Sequence, residues 1–181
     1  MVVVGAGNSG IQIAEEMADH GSVYLSVGTR LPRLPMQFLG RTLFWWLRHL
    51  GVMRVSVDSY LGRRLSTREV VIGTSLRTLQ AKGVTLLSRV VGHAGQDLRF
   101  ANGRSRSAST IIWATGYRPS YLWLNVPIFD VQGRPQHHRG VTAAVGMVFL
   151  GLAWQYRRGS ALIGGVGEDA AYLAEHLSTT R

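Results

Sequence analysis

The 181-residue sequence contains no cysteine. This absence excludes disulfides, thiolate nucleophiles and cysteine-ligated zinc or iron–sulfur centres, so any redox chemistry must come from a bound cofactor. Long apolar runs are also missing, since no stretch approaches the roughly 18 consecutive apolar residues that a membrane-spanning helix needs. The N-terminus has neither a charged n-region nor a small-residue cleavage site, and we therefore expect a cytoplasmic protein with no integral membrane segment.

Acidic residues are few: 10 Asp and Glu stand against 20 Lys and Arg, a formal net charge of +10. The basic residues are spread over nearly every segment, and Lys82 is the only lysine. Short basic stretches such as YRRGS and GRSRSAST lack the stacking aromatics of a single-strand binder, so we expect no nucleic-acid partner. A basic nucleic-acid or membrane-surface binder is the alternative, and a steep salt dependence of binding would reveal it.

Hydrophobic patterning predicts a β-α-β unit at the start of the chain. Residues 1–4 are apolar and mostly β-branched, and IQIAEEMADHG carries apolar residues at helical spacing before it stops at Gly21. SVYLSV then has the pattern of a second, buried strand. The short helix between the strands fits a parallel crossover.

Further elements follow from the same patterns. MQFLGRTLFWWLRHLG predicts a helix with Phe44, Trp45, Leu47 and Leu50 on one face, which we expect to be buried or to face a domain, a membrane-surface helix being the alternative. REVVIGTSLRTLQAKG predicts a helix, and the Asn-Gly pair in DLRFANGRS predicts a hairpin. We expect strands in VTLLSRVVGH, at residues 110–113 and in GMVFLGL, and a helix in GGVGEDAAYLAEHLS.

The motif that carries chemistry is GAGNSG, in which three glycines have the G-x-G-x-x-G spacing. Gly5 allows a sharp turn out of the strand, Gly7 leaves room for a pyrophosphate against the backbone, and Gly10 allows close packing of helix on strand. The N–H groups at the helix start then face the phosphates, and Asn8 and Ser9 lie in the same turn. The motif predicts a dinucleotide site, and the alternative is a glycine-rich turn without a ligand.

The end of the second strand indicates which dinucleotide is bound. An NAD site usually offers Asp or Glu to the ribose hydroxyls, but this sequence has LSVGTR there. Ser26 and Thr29 offer hydroxyls, and Arg30 offers a planar cation that pairs well with a 2′-phosphate. We therefore expect NADP rather than NAD.

No catalytic acid–base set is evident in the sequence. His137 and His138 are adjacent in a turn without a nearby carboxylate, so we expect no metal site. The serine-containing segments lack the G-x-S-x-G pattern of a nucleophile elbow. We therefore assign no catalytic residue.

Four stretches, VVVGAGNSGIQIAEEMA, IIWATGYRP, RRGSALIGGVGEDA and GLAWQ, resemble bacterial flavin-containing monooxygenase-like FAD/NADPH-dependent oxidoreductases, of the type described as flavoproteins involved in K+ transport. The resemblance runs almost the full length of the chain. It implies an α/β fold: a Rossmann-like parallel sheet with flanking helices forms the NADP domain of a two-dinucleotide-binding-domain flavoprotein, residues 1–113. Residues 114–181 would be the returning C-terminal segment of a discontinuous FAD domain.

The resemblance also implies roles for particular residues. It places Gly5, Gly7, Ser9 and Gly10 in the NADP pyrophosphate loop and Arg30 at the 2′-phosphate. The implied chemistry is hydride transfer from NADPH to FAD, then oxygen activation at the flavin and oxygenation of a small-molecule substrate.

The two later motifs would serve the flavin side. ATGY implies that Thr115, Gly116 and Tyr117 lie near the domain junction. GGVGEDA implies a helix whose N-terminus points toward the flavin, with Gly165 and Gly167 as cofactor contacts.

One departure from the family pattern is large. These flavoproteins have an earlier G-x-G-x-x-G that holds FAD and an F-x-G-x-x-x-H signature, and neither occurs here, because FLGRTLF begins correctly at Phe38 and Gly40 but ends at Phe44. We therefore expect a truncated chain that binds FAD poorly by itself and that associates through the face left exposed by the missing FAD half. The alternative is a non-catalytic NADP-binding module or partner subunit.

Overall fold

The computed structural model describes residues 1–29, 31–67 and 70–179. The chain divides into two compact units. The first comprises Met1–Leu43 with Glu69–Arg118, and the second comprises Phe44–Arg68 with Pro119–Arg181. The resemblance implies domains of residues 1–113 and 114–181, and those bounds stay a prediction; the compact units group 44–68 with the later residues and 114–118 with the earlier ones.

The described residues form eleven strands and five helices, and the C-terminal helix is the longest of them. The strands are β1 (Val2–Val4), β2 (Tyr24–Ser26), β3 (Arg33–Leu34), β4 (Gln37–Phe38), β5 (Arg41–Thr42), β6 (Val71–Ile72), β7 (Thr85–Leu87), β8 (Val90–Ala94), β9 (Asp97–Phe100), β10 (Ser105–Ser107) and β11 (Ile111–Trp113). The helices are α1 (Asn8–Met17), α2 (Leu43–His49), α3 (Tyr60–Ser66), α4 (Leu76–Ala81) and α5 (Val166–Thr179), with a 3₁₀ turn at Val52–Arg54.

A four-stranded parallel sheet, in the order β11-β1-β2-β7, organises the first unit. Its central strand β1 pairs along its length with both neighbours, Val2 with Ile111 and Tyr24, and Val4 with Trp113 and Ser26. Because all four strands run the same way, their carboxyl ends meet at one edge of the sheet. Ligands of such sheets bind outside that edge.

Both faces of β1 are buried, as expected for a run of three valines in a parallel sheet. On one face Val3 belongs to an apolar cluster that joins the sheet to two helices, with Ile11, Leu25 and Leu79. On the other face Val2 and Val4 belong to a second cluster, with Leu98 and Phe100 of β9. Strands β8, β9 and β10 form an antiparallel sheet, so the unit has helices, parallel sheet and antiparallel sheet as successive layers.

The predicted β-α-β unit, the hairpin β9-β10, the strand at residues 110–113 and the C-terminal helix are confirmed. Two predicted helices are shorter than expected. The first begins only at Leu43, because Leu39 and Gly40 adopt positive φ values of 49° and 72° and turn the preceding residues into the hairpin β4-β5. The second begins after Ser75, whose hydroxyl accepts a hydrogen bond from the Thr78 amide at 3.1 Å, and the preceding Val-Ile pair forms β6.

The second unit contains α2, α3, α5 and long irregular segments. The strand predicted in GMVFLGL is absent: Val148 makes only an isolated bridge with Val141, between Gly146 and Gly151, which both have positive φ. No residue of α2 is fully buried: Trp45 and Leu47 are half-buried, and Leu50, just beyond the helix, is 70% exposed. The expectation that this face is buried is therefore met only in part, and the expectation that it faces a domain stays a prediction. No helix among the described residues is long and apolar enough to cross a bilayer.

A fully buried carboxylate anchors the first turn of α5 in the second unit. Asp169 is 0% exposed and lies 3.6 Å from the guanidinium groups of both Arg139 and Arg157. The two nearby cations reduce the cost of removing the carboxylate from water. The start of α5 is therefore held against the segment that carries Arg157.

The core of the first unit provides a direct test of this packing. Leu25 of β2 is 0% exposed in the apolar cluster between the parallel sheet and the helices α1 and α4. Leu25→Ala should therefore lower the free energy of unfolding by about 2–5 kcal/mol, because burial is lost and a cavity is left behind. Urea denaturation followed by circular dichroism measures this loss. The matched control is Leu122→Ala, where the leucine is 96% exposed and little change is expected. Equal effects of the two substitutions would contradict the packing described.

Candidate functional site

A cleft of about 890 Å³ opens at the carboxyl edge of the parallel sheet in the first unit. Its walls are the glycine turn after β1, the residues after β2, the loop after β7 and the residues after β11. This is the position at which open α/β sheets bind their ligands. The volume lies in the range typical of small-molecule and cofactor sites.

Gly5 is the point at which three backbone segments meet. Its amide donates to the Ser26 carbonyl at 3.0 Å, and the Ala114 amide donates to the Val4 carbonyl at 2.8 Å. Gly5 has a φ of 112°, and a Cβ there would lie 2.2 Å from the Ala114 carbonyl oxygen. No side chain fits, so the predicted role of Gly5 in the turn has a clear steric basis.

The other two fingerprint glycines differ in what surrounds them. A Cβ at Gly10 would lie 1.9 Å from the Gly5 carbonyl oxygen, so Gly10 allows α1 to pack against the turn. A Cβ at Gly7 would meet nothing within 4 Å. Gly7 lines the cleft, and a side chain there would occupy space that is otherwise open to a ligand.

The N-terminus of α1 is suited to an anion. Its N-cap is Gly7, which supplies no capping side chain, and the first turn contains no acidic residue. The first N–H groups of the helix therefore have no side-chain acceptor, and the helix dipole adds to their attraction for negative charge. Ser9 is exposed in the cleft wall beside them.

Two contacts hold the glycine turn from outside. The side-chain oxygen Oδ1 of Asn8, a residue predicted to bind the cofactor, accepts a hydrogen bond from the Ile72 amide of β6 at 2.9 Å. This oxygen therefore holds the turn against β6. Arg33 of β3 donates from Nη2 to the Ala6 carbonyl at 3.0 Å, and burial lowers the pKa of its guanidinium. No sequence signal singled out Arg33, because its partner is a backbone atom 27 residues away.

Ser26 lies among the residues that line the cleft, but its hydroxyl is used within the protein. It is 2% exposed, and its hydroxyl donates to the Ser88 carbonyl at 2.9 Å and accepts from the Val90 amide at 3.2 Å. The sequence suggests that this hydroxyl is available to a ribose, whereas in the structure it is already hydrogen-bonded to two backbone groups of the protein. It ties the end of β2 to the loop that follows β7.

Thr29 lies in the cleft wall after β2, and its hydroxyl accepts a hydrogen bond from Nη2 of Arg89 at 3.2 Å. Arg89 also lines the cleft and was missed by sequence reasoning. Its place directly after the third parallel strand was the available signal. Arg30 lies outside the described residues.

The residues after β11 form another wall of the cleft. Thr115, Gly116 and Tyr117 all line it, with Gly116 at a φ of 93° and Tyr117 98% exposed. These residues belong to the first compact unit, which ends at Arg118. The ATGY element therefore contributes to the same cleft as the glycine turn.

A separate cavity of about 570 Å³ lies in the second unit at the start of α5. Gly165 is part of its wall, and Gly167 follows in the first turn of the helix, where a Cβ would meet nothing within 4 Å. The carboxylate of Glu168 also lines this cavity and is paired with Arg157.

Comparison with known proteins agrees with this geometry. No family model matches the chain. The chain is 44% identical over 176 residues to "Uncharacterized oxidoreductase CzcO-like" of Geobacillus kaustophilus and 37% identical over 181 residues to "Uncharacterized oxidoreductase CzcO" of Bacillus subtilis. These matches cover 96% and 98% of the chain but 51% and 52% of the relatives, so the chain spans about half the length of the curated relatives it matches.

Among solved structures, the chain superposes on the flavin-containing monooxygenase of Stenotrophomonas maltophilia with a TM-score of 0.64. The match has 22% identity and covers 98% of the chain and 49% of that protein. The predicted α/β fold, the fold of flavoproteins with two dinucleotide-binding domains, is therefore confirmed. The resemblance to flavin-containing monooxygenase-like oxidoreductases is likewise confirmed, for the half of those proteins that the chain spans.

The contrast between Gly7 and Gly10 yields a prediction. Gly10→Ala should destabilise the fold by about 1–3 kcal/mol or more, because its methyl group overlaps the Gly5 carbonyl. Gly7→Ala should change stability by less than about 1 kcal/mol, since the methyl group enters open space. Gly7→Ala should nevertheless weaken the binding of any ligand whose phosphates approach this turn.

Thermal denaturation of both variants, with NADPH titrated into each, measures these effects. A Gly7→Ala variant that is as stable as the wild type and binds with unchanged affinity would show that no phosphate approaches this turn.

Proposed function

We propose that the chain binds NADP in the cleft of its first unit and serves an NADPH- and FAD-dependent oxidoreductase of the monooxygenase-like type. The observation that carries the proposal is the glycine turn at the carboxyl end of β1. It presents an uncapped helix N-terminus and the open space at Gly7 to the same cleft. The relatives' names and the fold support the wider assignment.

The preference for NADP over NAD rests on the end of β2. Among the described residues, none that lines the cleft is Asp or Glu, so the carboxylate that would bind a free ribose 2′-hydroxyl is missing. Thr29 offers a hydroxyl there, and Arg30 remains the residue that the sequence pattern assigns to the 2′-phosphate.

The flavin side of the proposal concerns the second unit. A bound flavin would accept hydride from NADPH and react with oxygen, while the protein orients the ring and sets the local charge. We propose that Gly165, in the cavity wall, and Gly167, in the first turn of α5, face one edge of the ring. A Cβ at Gly167 would meet nothing within 4 Å, whereas a Cβ at Gly165 would lie 2.4 Å from the Gly159 carbonyl oxygen, so Gly165 lets the chain before α5 pack against Gly159. The first turn carries Glu168 and Asp169, and both are paired with arginine, so the charge at this helix start is already balanced and fits an uncharged ring edge.

A second candidate function is a non-catalytic NADP-binding module or partner subunit. It is favoured by the cleft, because every residue that lines it belongs to the first unit. The substrate of the enzyme candidate would be a small molecule, and the cytoplasmic location remains a prediction.

Binding measurements on the purified chain test the cofactor assignment. We expect NADPH to bind at least about tenfold more tightly than NADH in isothermal titration, because only NADPH carries the additional phosphate for a charge-assisted contact. Arg30→Ala should reduce the affinity for NADPH and leave the affinity for NADH unchanged. A chain that binds neither dinucleotide would contradict the proposal.

Adding FAD distinguishes the enzyme from the module. Consumption of NADPH together with oxygen uptake after FAD is added supports the enzyme. Binding of NADPH without either signal supports the module. A chain isolated with stoichiometric yellow flavin would contradict the prediction that it binds FAD poorly by itself.

A further inference from the structure

We infer that Arg89, together with Thr29, binds the 2′-phosphate of the nucleotide and that buried Ser26 positions Arg89 for this role. This inference deepens the proposed function of the cleft and rests on it. It gives the preference for NADP a second determinant besides Arg30, on a different strand of the sheet.

The geometry begins with the place of Arg89. Arg89 lies two residues after the end of β7, the strand beside β2 at the edge of the sheet, and its side chain reaches across to the end of β2. Its Nη2 donates to the Thr29 hydroxyl, and its Nε lies 3.2 Å from where a Cβ of Gly28 would be. Gly28 therefore leaves space for the guanidinium, which lies over the residues where a dinucleotide's adenosine ribose binds.

The charge around Arg89 is not neutralised. Among the described residues no Asp or Glu lies within ion-pair distance of its guanidinium, and the side chain is exposed in the cleft. Only one of its five N–H groups is used by Thr29, so the others can donate to a phosphate, two of them in a bidentate pair. The Thr29 hydroxyl accepts from Arg89 and keeps its own proton to donate to the same anion.

The backbone around Arg89 is fixed from three sides. Ser26 donates to the Ser88 carbonyl and accepts from the Val90 amide, so one buried hydroxyl holds both neighbours of Arg89. The Arg89 carbonyl accepts from the Ala101 amide at 2.8 Å. An arginine whose backbone is already fixed loses less freedom on binding a phosphate, and this pre-organisation favours affinity.

The test compares ligands that differ only in the 2′-phosphate: NADPH with NADH, and 2′,5′-ADP with 5′-AMP. We expect Arg89→Ala to lower the affinity for NADPH and 2′,5′-ADP by about tenfold, which is the loss expected for one charge-assisted phosphate contact. The affinity for NADH and 5′-AMP should stay unchanged. Arg89→Lys should recover part of the loss, since it keeps the charge without the planar pair of donors. The matched control is Arg104→Ala, which removes an equal charge from an exposed arginine that does not line the cleft.

One result would overturn the inference while the proposed function stands: Arg89→Ala weakens the binding of NADPH and NADH equally, or changes neither. If the wild-type chain binds NADH as tightly as NADPH, both the inference and the proposed preference for NADP fail. If the wild type binds none of the four ligands, the proposed function itself fails, and the inference fails with it.

The positioning role of Ser26 needs its own readout. Ser26→Ala should reduce the ratio of NADPH to NADH affinity by less than Arg89→Ala does, because the guanidinium remains but its loop is no longer held. The double variant with Ser26→Ala and Arg89→Ala should have the same ratio of NADPH to NADH affinity as Arg89→Ala alone, since the two residues act on one contact. A Ser26→Ala variant that loses thermal stability with an unchanged affinity ratio would show that Ser26 is structural only.

Discussion

The close approach of three backbone segments around Gly5 is the constraint on which the cleft depends. The turn after β1 passes so near the end of β11 that a Cβ at Gly5 would lie 2.2 Å from the Ala114 carbonyl, and α1 begins so near the turn that a Cβ at Gly10 would lie 1.9 Å from the Gly5 carbonyl. Only glycine meets both requirements. Because the turn is this tight, the start of α1 faces the edge of the sheet instead of passing over it.

The rest of the first unit holds this turn in place. Val3 and its neighbours pack the sheet against α1 and α4, and Val2 and Val4 pack it against the antiparallel sheet. Asn8 and Arg33 attach the turn to the short strands β6 and β3, which pair with each other. The open space at Gly7 is therefore bounded by fixed backbone, as a site that binds a flexible cofactor requires.

The two units differ in how much of their structure local patterns indicate. In the first unit, uninterrupted valines predict the buried strand and Asn-Gly predicts the hairpin, and both form. In the second unit the apolar run GMVFLGL suggests a strand but has no partner strand, since Val148 makes a single bridge. The difference is physical: a strand needs a neighbour to satisfy its backbone, and apolar composition alone does not provide one.

The sequence by itself determined the β-α-β unit, the spacing of the glycines and the resemblance to flavin-containing monooxygenase-like oxidoreductases, since each depends on residues that are near one another in the chain. Only the tertiary structure decided that Ser26 is buried against residues 62 and 64 positions later and that Arg89 meets Thr29. These contacts depend on β7 lying beside β2 in the sheet. Strand order is set by how the whole unit buries its apolar faces, and no local pattern encodes it.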